Sequence, residues 1–326
     1  MSAAKAEPRH HGLVLIDKPE GLTSHDVVAK IRKMAGQKKV GHTGTLDPMA
    51  TGLMAVLLGS ATRLEPYLTK MNKSYLGQLE LGLLTDTDDV TGQVLSRNDG
   101  PYPLKAEVAE VLASFLGVQD QRPPDYSAIK VGGKRAYEAA REGAPLQLAC
   151  RRVTAYNLEI MDYAPPRLTF KAEVSSGYYI RSLARDLGHR LGMGGAALSA
   201  LRRLTVGPAW SLDKAFTLEA VNGWNEDGWA DNIISPADAL PLHQALRLED
   251  SEAVRYLQGQ RLKLPLDVEP GQYKVLSASG LLLGLAEAVA TDYASLGGPE
   301  PHGPFLRPLR VFNNSRNITG LPNGKE

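Results

Sequence analysis

Apolar residues along the chain follow two rhythms, and their alternation predicts a mixed α+β fold. The run Leu13-Val14-Leu15-Ile16-Asp17, bounded by Gly12 and Pro19, predicts a buried strand. Ser24 then caps a helix whose apolar positions Val27, Val28, Ile31 and Met34 recur at helical spacing up to Gly36. Residues 73–82 alternate as a half-exposed strand does, and residues 104–116 return to the helical period with Val108, Val111, Leu112 and Phe115 on one face. Strands at 153–163 and 168–175 pair across Ala164-Pro165-Pro166-Arg167. Residues 179–191 form a helix with Ile180, Leu183, Ala184, Leu187 and Leu191 on its apolar side. The pattern loosens over 211–242, where Asn222-Gly223-Trp224-Asn225-Glu226-Asp227-Gly228-Trp229 reads as loop. From about residue 247 a separate β-rich unit begins, with strands at 273–276, 281–286 and 309–312. The sum is an α+β architecture around a largely antiparallel sheet.

Between the first helix and the next apolar run lies Val40-Gly41-His42-Thr43-Gly44-Thr45-Leu46-Asp47-Pro48-Met49-Ala50-Thr51-Gly52. On spacing alone Asp47-Pro48 is an ordinary helix start, because aspartate accepts from the first free N–H groups and proline suits the first helical position. A cap does not need Gly41, Gly44 and Gly52 around it, however, and glycine marks sharp turns or close approaches. The stretch therefore also reads as a shaped loop presenting one carboxylate. A carboxylate so held can serve as nucleophile or base.

Composition narrows the class. The 326 residues, 43% hydrophobic and 22% charged, describe a globular chain of one to three domains. The apolar runs at 53–58 and 281–285 fall well below the roughly 20 residues of a membrane span, so no membrane partner is expected. The N-terminus lacks an apolar core behind its charges, which predicts a flexible segment over residues 1–11 and no secretory signal. A single cysteine, Cys150, cannot form an internal disulfide; it fits a reducing cytoplasm and a buried small side chain.

The formal net charge is only +1, but its distribution is uneven. Lys30, Arg32, Lys33, Lys38 and Lys39 occur with no acid among them. Arg122, Lys130, Lys134, Arg135, Arg141, Arg151 and Arg152 outnumber Asp125, Glu138 and Glu142, and Arg181, Arg185, Arg190, Arg202 and Arg203 face Asp186 alone. Acids gather elsewhere, at Asp86, Asp88, Asp89 and Asp99. One such cluster is an ordinary solvated face; three together point to a polyanion.

Several chemistries lack support. There is no Walker A pattern, no His-Glu-x-x-His pair and no cysteine cluster. Gly192-Met193-Gly194-Gly195-Ala196-Ala197 has the letters of a dinucleotide fingerprint but ends a helix instead of joining strand to helix. Gly41-His42-Thr43-Gly44 has the Gly-x-x-Gly form of single-strand RNA clamps, and Ser24, His42 and Asp47 are the residue types of a hydrolase triad. Neither is specific enough to stand alone.

Taken in order, the segments resemble the bacterial TruB-type tRNA pseudouridine synthases, which convert uridine 55 of the T-loop. The matching pieces are Gly12-Leu13-Val14-Leu15-Ile16-Asp17-Lys18-Pro19 with Gly21, Thr23 and Ser24; Gly41 to Gly52; Lys73-Ser74-Tyr75; Gly82; and Thr85-Asp86-Thr87-Asp88. Next come Arg122-Pro123-Pro124, Tyr126-Ser127-Ala128-Ile129-Lys130-Val131, Lys134-Arg135-Ala136-Tyr137, Ser176-Gly177, Tyr179-Ile180-Arg181, and Leu198 with Ala200-Leu201-Arg202-Arg203. They cover about residues 12–210. Tyr178 departs from the small residue the family pattern carries there.

The resemblance implies a pseudouridine synthase catalytic domain over residues 12–240 with a thumb-like, RNA-gripping insertion at 122–143. A PUA-like RNA-binding domain over 245–313 and a flexible tail over 314–326 follow, and glycines and prolines mark a further insertion at 294–304. It assigns Asp47 as the catalytic aspartate, Tyr75 as the tyrosine that stacks on the target uracil, and Arg181 as the partner of the aspartate. Substrate contacts fall to His42, Lys18, Pro19, Tyr179, Leu201, Lys130, Gly44 and Thr45, and RNA-backbone contacts to Lys134, Arg135, Arg141, Arg202 and Arg203. No metal or cofactor is implied.

Isomerising uridine breaks the C1′–N1 bond and joins C1′ to C5, with no net gain of electrons or groups. Asp47 must be ionised to act, and an arginine beside it favours that form. It attacks C1′ or C6, or assists departure of uracil with formation of a glycal; in the last route Tyr75 is the candidate to take the C2′ proton. The implied partner is the tRNA T-stem-loop, met by a monomer without a guide RNA. Two rival readings are a non-catalytic tRNA-binding or tRNA-folding protein and a guide-RNA-dependent relative.

Overall fold

The computed structural model describes residues 9–290 and 304–312. The expectations for residues 1–8, for 294–303 and for the tail at 314–326 lie outside the described residues. Residues 10 and 11, expected in a flexible segment, are tied down: the backbone of His10 exchanges hydrogen bonds with the Gln37 amide at 2.9 and 3.1 Å, and the His11 ring meets Ser60.

The first half of the chain runs β1 (Gly12–Lys18), α1 (Ser24–Met34), β2 (Val40–His42), β3 (Thr51–Leu58), α2 (Glu65–Leu68), β4 (Lys73–Leu81), a hairpin of β5 (Leu83–Thr85) and β6 (Val94–Arg97), α3 (Lys105–Ala113) and β7 (Gly117–Gln121). The insertion then forms a small hairpin, β8 (Lys130–Val131) with β9 (Lys134–Arg135), and the short helix α4 (Ala136–Arg141). The long hairpin β10 (Arg151–Ala164) and β11 (Arg167–Val174), helix α5 (Ile180–Arg190), β12 (Ala196–Val206), β13 (Trp210–Ser211), α6 (Leu218–Asn222) and α7 (Glu226–Asn232) complete this part.

One sheet organises it, in the order β1-β3-β12-β4-β11-β10-β7, with β2 on β3 and β13 on β12. Every pairing is antiparallel except β12 with β3. That junction demands close approach. Gly52, at φ 97°, lies opposite Arg203, and a Cβ there would sit 2.4 Å from the Arg203 carbonyl oxygen.

The continuous apolar runs of β1 and β3 are explained by burial on both faces. Val14, Ile16, Met54, Val56 and Leu58 point to α1, where Val27, Val28 and Ile31 are buried with them. The alternate residues Leu13, Leu15, Leu53, Ala55 and Leu57 point the other way, to Leu64, Leu68 and Trp210. The third apolar cluster lies where α3 and α5 cover β4, β11 and β12, joining Val108 and Leu112 to Leu79, Phe170, Leu183 and Leu187. Tyr178, the residue that departs from the family pattern, is buried in this cluster and accepts a hydrogen bond from Gln119 at 3.3 Å.

A second sheet follows in the order β14 (Gln244–Leu248), β16 (Gly271–Ser277), β17 (Leu282–Val289), β18 (Phe305–Val311), β15 (Leu262–Lys263), with α8 (Asp250–Leu257) packed on it through Tyr256. The strand β14 runs parallel to β16, and neither β14 nor α8 was visible in the strand periodicity. Among the described residues no helix is long and apolar enough to cross a membrane.

Four expectations need correction. Thr23, not Ser24, caps α1, in a reciprocal box with Asp26. Asp47-Pro48 starts no helix: the Ala50 N–H donates to the Asp47 carbonyl at 3.0 Å, closing a turn that feeds β3. Residues 222–229 are not loop throughout; Asn225 caps α7 by accepting from the Gly228 N–H, and the edge-to-face Trp224–Trp229 pair buries Trp229. Cys150 is exposed, because it lies on the stretch before β10 that leaves the insertion, outside every core cluster.

Candidate active site

The loop carrying Asp47 is anchored on both sides of the carboxylate. Ser24, freed from capping, donates its hydroxyl to the Leu46 carbonyl at 3.1 Å and accepts from the Leu46 N–H at 2.8 Å. On the other side the Pro48 carbonyl accepts from the Gly21 N–H at 2.9 Å and from Lys18 Nζ at 3.3 Å. Upstream, the Thr43 N–H donates to Ala55, and His42 Nδ1 accepts from the Gly44 N–H. Each backbone tie leaves the Asp47 side chain fewer alternatives.

Arg181, on the first turn of α5, reaches that side chain with a fork. Its Nε lies 2.9 Å from Asp47 Oδ2 and its Nη2 donates to Oδ1 at 3.2 Å. Two parallel contacts fix the carboxylate plane as well as its charge. The arginine side chain is 6% exposed while that of Asp47 is 35% exposed, so the cation lies behind and the anion faces the opening. The remaining donors of Arg181 are spent on the carbonyls of Thr87 and Tyr126, both at 2.9 Å. Asp89 stands 3.8 Å from Nε, its Oδ1 held by Thr87 and Thr91 hydroxyls.

Other expected residues converge here. Lys18 is fully buried, its Nζ donating to the Pro19 and Pro48 carbonyls; burial lowers its affinity for a proton, opposed by Asp47 and Glu20. Tyr179 caps α5, with both its backbone groups held by the Gln121 amide, and burial pushes its phenol up against the opposing pull of Arg151 and Arg181. Tyr75 and Leu201 share one apolar cluster with Leu46 and Ala50, the neighbours of Asp47. Tyr75 is 7% exposed, and its hydroxyl has no hydrogen-bond partner among the described residues. Thr45 is exposed at the loop tip. His42 stands edge-on to His25, and burial, then His25 and Arg203, lowers its proton affinity against the opposing pull of Glu65.

The expected RNA-backbone residues divide. Lys134 pairs with Glu142, Arg135 and Arg141 lie 5.8 and 5.5 Å from the Tyr137 ring centroid, and Lys130 is exposed on the same hairpin. These stand on the insertion and make no contact with Asp47. Arg202 is half-buried, bonded to Asp17 at 2.7 Å and Thr51 at 3.2 Å. Arg203 needs correction: it is 2% exposed and donates to the Leu53 and Gly44 carbonyls, so it supports the Asp47 loop from below and presents no surface charge. Lys73 is buried beside it, lowered to about 8 by burial and by Arg203.

Sequence reasoning gave Thr87, Asp88, Asp89 and Arg185 no role in the site. Arg185 pairs with Asp88 at 2.9 Å and Asp186 at 2.8 Å. The signal was present: an acid-rich stretch at 86–89 and an arginine-rich helix in one chain of near-zero net charge are natural partners.

Comparison with known proteins places this geometry among relatives. Residues 32–180 match a family described as TruB family pseudouridylate synthase (N terminal domain), and residues 181–240 match the tRNA pseudouridylate synthase B C-terminal domain. The chain is 42% identical over 307 residues to the tRNA pseudouridine synthase B of Geobacter sulfurreducens, covering 93% of this chain and 99% of that protein. It is 40% identical over 305 residues to the protein of the same name from a Synechocystis species, with coverage of 93% and 99%. Among solved structures, one described as the crystal structure of a Cbf5-Nop10-Gar1 complex aligns with a TM-score of 0.68 at 26% identity, over 93% of this chain and 85% of that one.

Proposed function

The chain belongs to the TruB family of pseudouridylate synthases, and from that premise we propose that it isomerises uridine 55 in the T-loop of tRNA, with Asp47 as the reacting carboxylate. The observation that carries the residue assignment is the forked Arg181–Asp47 pair, buried on the arginine side and open on the aspartate side. An ionised carboxylate so fixed meets C1′ or C6 of a uridine, or the departing uracil, without spending energy on its own orientation.

A uridine inside a folded loop must be flipped out, at a cost of a few kcal/mol. Stacking on an aromatic ring returns roughly 1–3 kcal/mol. Tyr75, buried in the apolar cluster that also holds Leu46 and Leu201, is the surface for the uracil, and His42 at the loop edge occupies the space the base leaves. Phosphates of the T-stem are gripped by the insertion at 122–143, through Lys130, Lys134, Arg135 and Arg141. The unit at 245–313 serves as a PUA-like RNA-binding domain.

The protein acts in the cytoplasm as a monomer and without a guide RNA, a reading supported by the 42% identity to a bacterial protein named tRNA pseudouridine synthase B and by the cationic insertion. The test is tritium release from a tRNA transcript carrying 5-tritiated uridine, with the purified protein alone. Release is expected from the unmodified transcript and is absent when uridine 55 is replaced. Binding without release defeats the proposal and returns the non-catalytic tRNA-folding reading.

A further inference from the structure

Arg181 and Arg185 stand four residues apart on α5 and so share one face of the helix. Each is clamped from the same two directions. One direction is the acidic loop at 86–89, which gives Arg181 the Thr87 carbonyl and the Asp89 carboxylate, and gives Arg185 the Asp88 carboxylate at 2.9 Å. The other is the start of the insertion: the Tyr126 carbonyl accepts from Arg181 at 2.9 Å, and the Arg122 carbonyl accepts from Arg185 Nη2 at 3.0 Å and from the Ser182 hydroxyl at 2.8 Å. A cross-tie closes the frame, because the Tyr126 hydroxyl donates to Asp86 at 3.2 Å.

Two features set the Arg185–Asp88 pair apart from an incidental ion pair. Both side chains are nearly buried, at 12% and 10% exposure. Asp88 also holds a left-handed backbone, φ 60°, the one non-glycine residue among the described residues to do so. Such a conformation is kept where surrounding contacts over-determine it, and such places cluster at working sites. Here it turns the Thr87 carbonyl and the Asp89 side chain toward Arg181 while sending the Asp88 carboxylate to Arg185.

We propose that Arg185 and Asp88 form a positioning pair for the isomerisation: they hold the acidic loop and the root of the insertion against α5, so that the grip of the insertion on RNA and the seating of Arg181 on Asp47 are mechanically linked. Neither residue touches substrate. The pair acts through the carbonyls of Thr87 and Tyr126, two of the contacts that aim the catalytic arginine. The inference rests on the reading of the chain as a tRNA pseudouridine synthase.

The test compares the full-length wild type with Arg185→Lys, Asp88→Asn and the double variant, by single-turnover rate at saturating tRNA transcript, tRNA Kd and thermal midpoint. Lysine keeps the charge opposite Asp88 but cannot bond Arg122, Asp88 and Asp186 together. Each single variant is expected to lose about ten- to a hundredfold in rate, the scale of a small misplacement of reacting groups, with Kd changed by less than about threefold and folding intact. The double variant should be no slower than the slower single one, because the pair acts as a unit. Wild-type rates in folded variants overturn the proposal. So does a rate loss that merely follows lost affinity. Melting of both single variants below assay temperature reduces the pair to a structural one and also overturns it. A wild type that binds tRNA but forms no pseudouridine overturns the functional reading itself, and this inference with it.

Discussion

At the scale of single residues, the site turns on the difference between a point charge and a fork. Arg181 uses three nitrogens on four oxygens, two of Asp47 and one each of Thr87 and Tyr126. A lysine in its place keeps a cation near Asp47 but satisfies at most part of that set, and it leaves buried carbonyls unpaired. Arg181→Lys is therefore expected to lose about a hundredfold or more in the single-turnover rate, with tRNA affinity nearly unchanged. Rapid-quench assays at saturating enzyme check this. The pairing of Arg181 with Asp47 was legible in the sequence through the family resemblance, and the shaped loop at Asp47 also through the glycines around it. The burial of Arg203 was not: a guanidinium written beside Arg202 in a basic cluster looks like surface charge, and it is the place of β12 between β3 and β4 that covers Arg203 while its neighbour Arg202, on the opposite face, stays half-buried.

At the scale of elements, the acidic loop between β5 and β6 is the part that periodicity could not reach. Strong strands and helices with one buried face announce themselves, as β1, β4, α1 and α5 did within a few residues. The loop at 86–89 has no apolar period, and its shape is set by Asp89 bonding Thr87 and Thr91 and by Asp88 reaching α5. The short helices α6 and α7 escaped for a related reason, since they are held by Trp229 packing and caps rather than by an apolar stripe.

Asp88 carries a pH signature. Burial raises its carboxyl from 3.8 to about 6, against the opposing pull of Arg185 and Arg181 and with a further push from Asp186. Because the folded value lies above the unfolded one, the native state binds the extra proton between about pH 4 and 6, and this group makes the fold more stable as pH falls through that window. The same proton weakens the pair with Arg185. The rate at saturating tRNA should thus step down below a midpoint near pH 6 with no parallel loss of thermal stability from this group, and the residual rate of Asp88→Asn should show no step there. A pH–rate profile alongside thermal melts reads both.

At the scale of the whole molecule, the two sheets share a core. Leu276, Leu282 and Leu285 of the second sheet, with Phe312 just after β18, are buried in one cluster with Leu13, Leu53, Leu57 and Trp210 of the first. The expectation of a separate C-terminal unit therefore has a physical limit: its strands form their own sheet, but Leu276, Leu282 and Leu285 on that sheet are buried in one cluster with residues of the first part of the chain, and Lys274 Nζ donates to the Ala237 and Leu240 carbonyls. The strand β3, which follows the turn that presents Asp47, contributes Leu53, Ala55 and Leu57 to that cluster. Leu285→Ala should cost about 2–5 kcal/mol, the usual range for a leucine deleted from a closed core, and calorimetry should still show one transition. Two separated transitions would contradict a common core.

The most direct test of the account is to map pseudouridine at nucleotide resolution in an unmodified tRNA transcript after treatment with excess purified protein, for wild type and Asp47→Asn side by side, with transcript binding measured for both. One modified position, 55, is expected with wild type, none with Asp47→Asn, and similar Kd values for the two. Modification of uridine 55 by Asp47→Asn would contradict it.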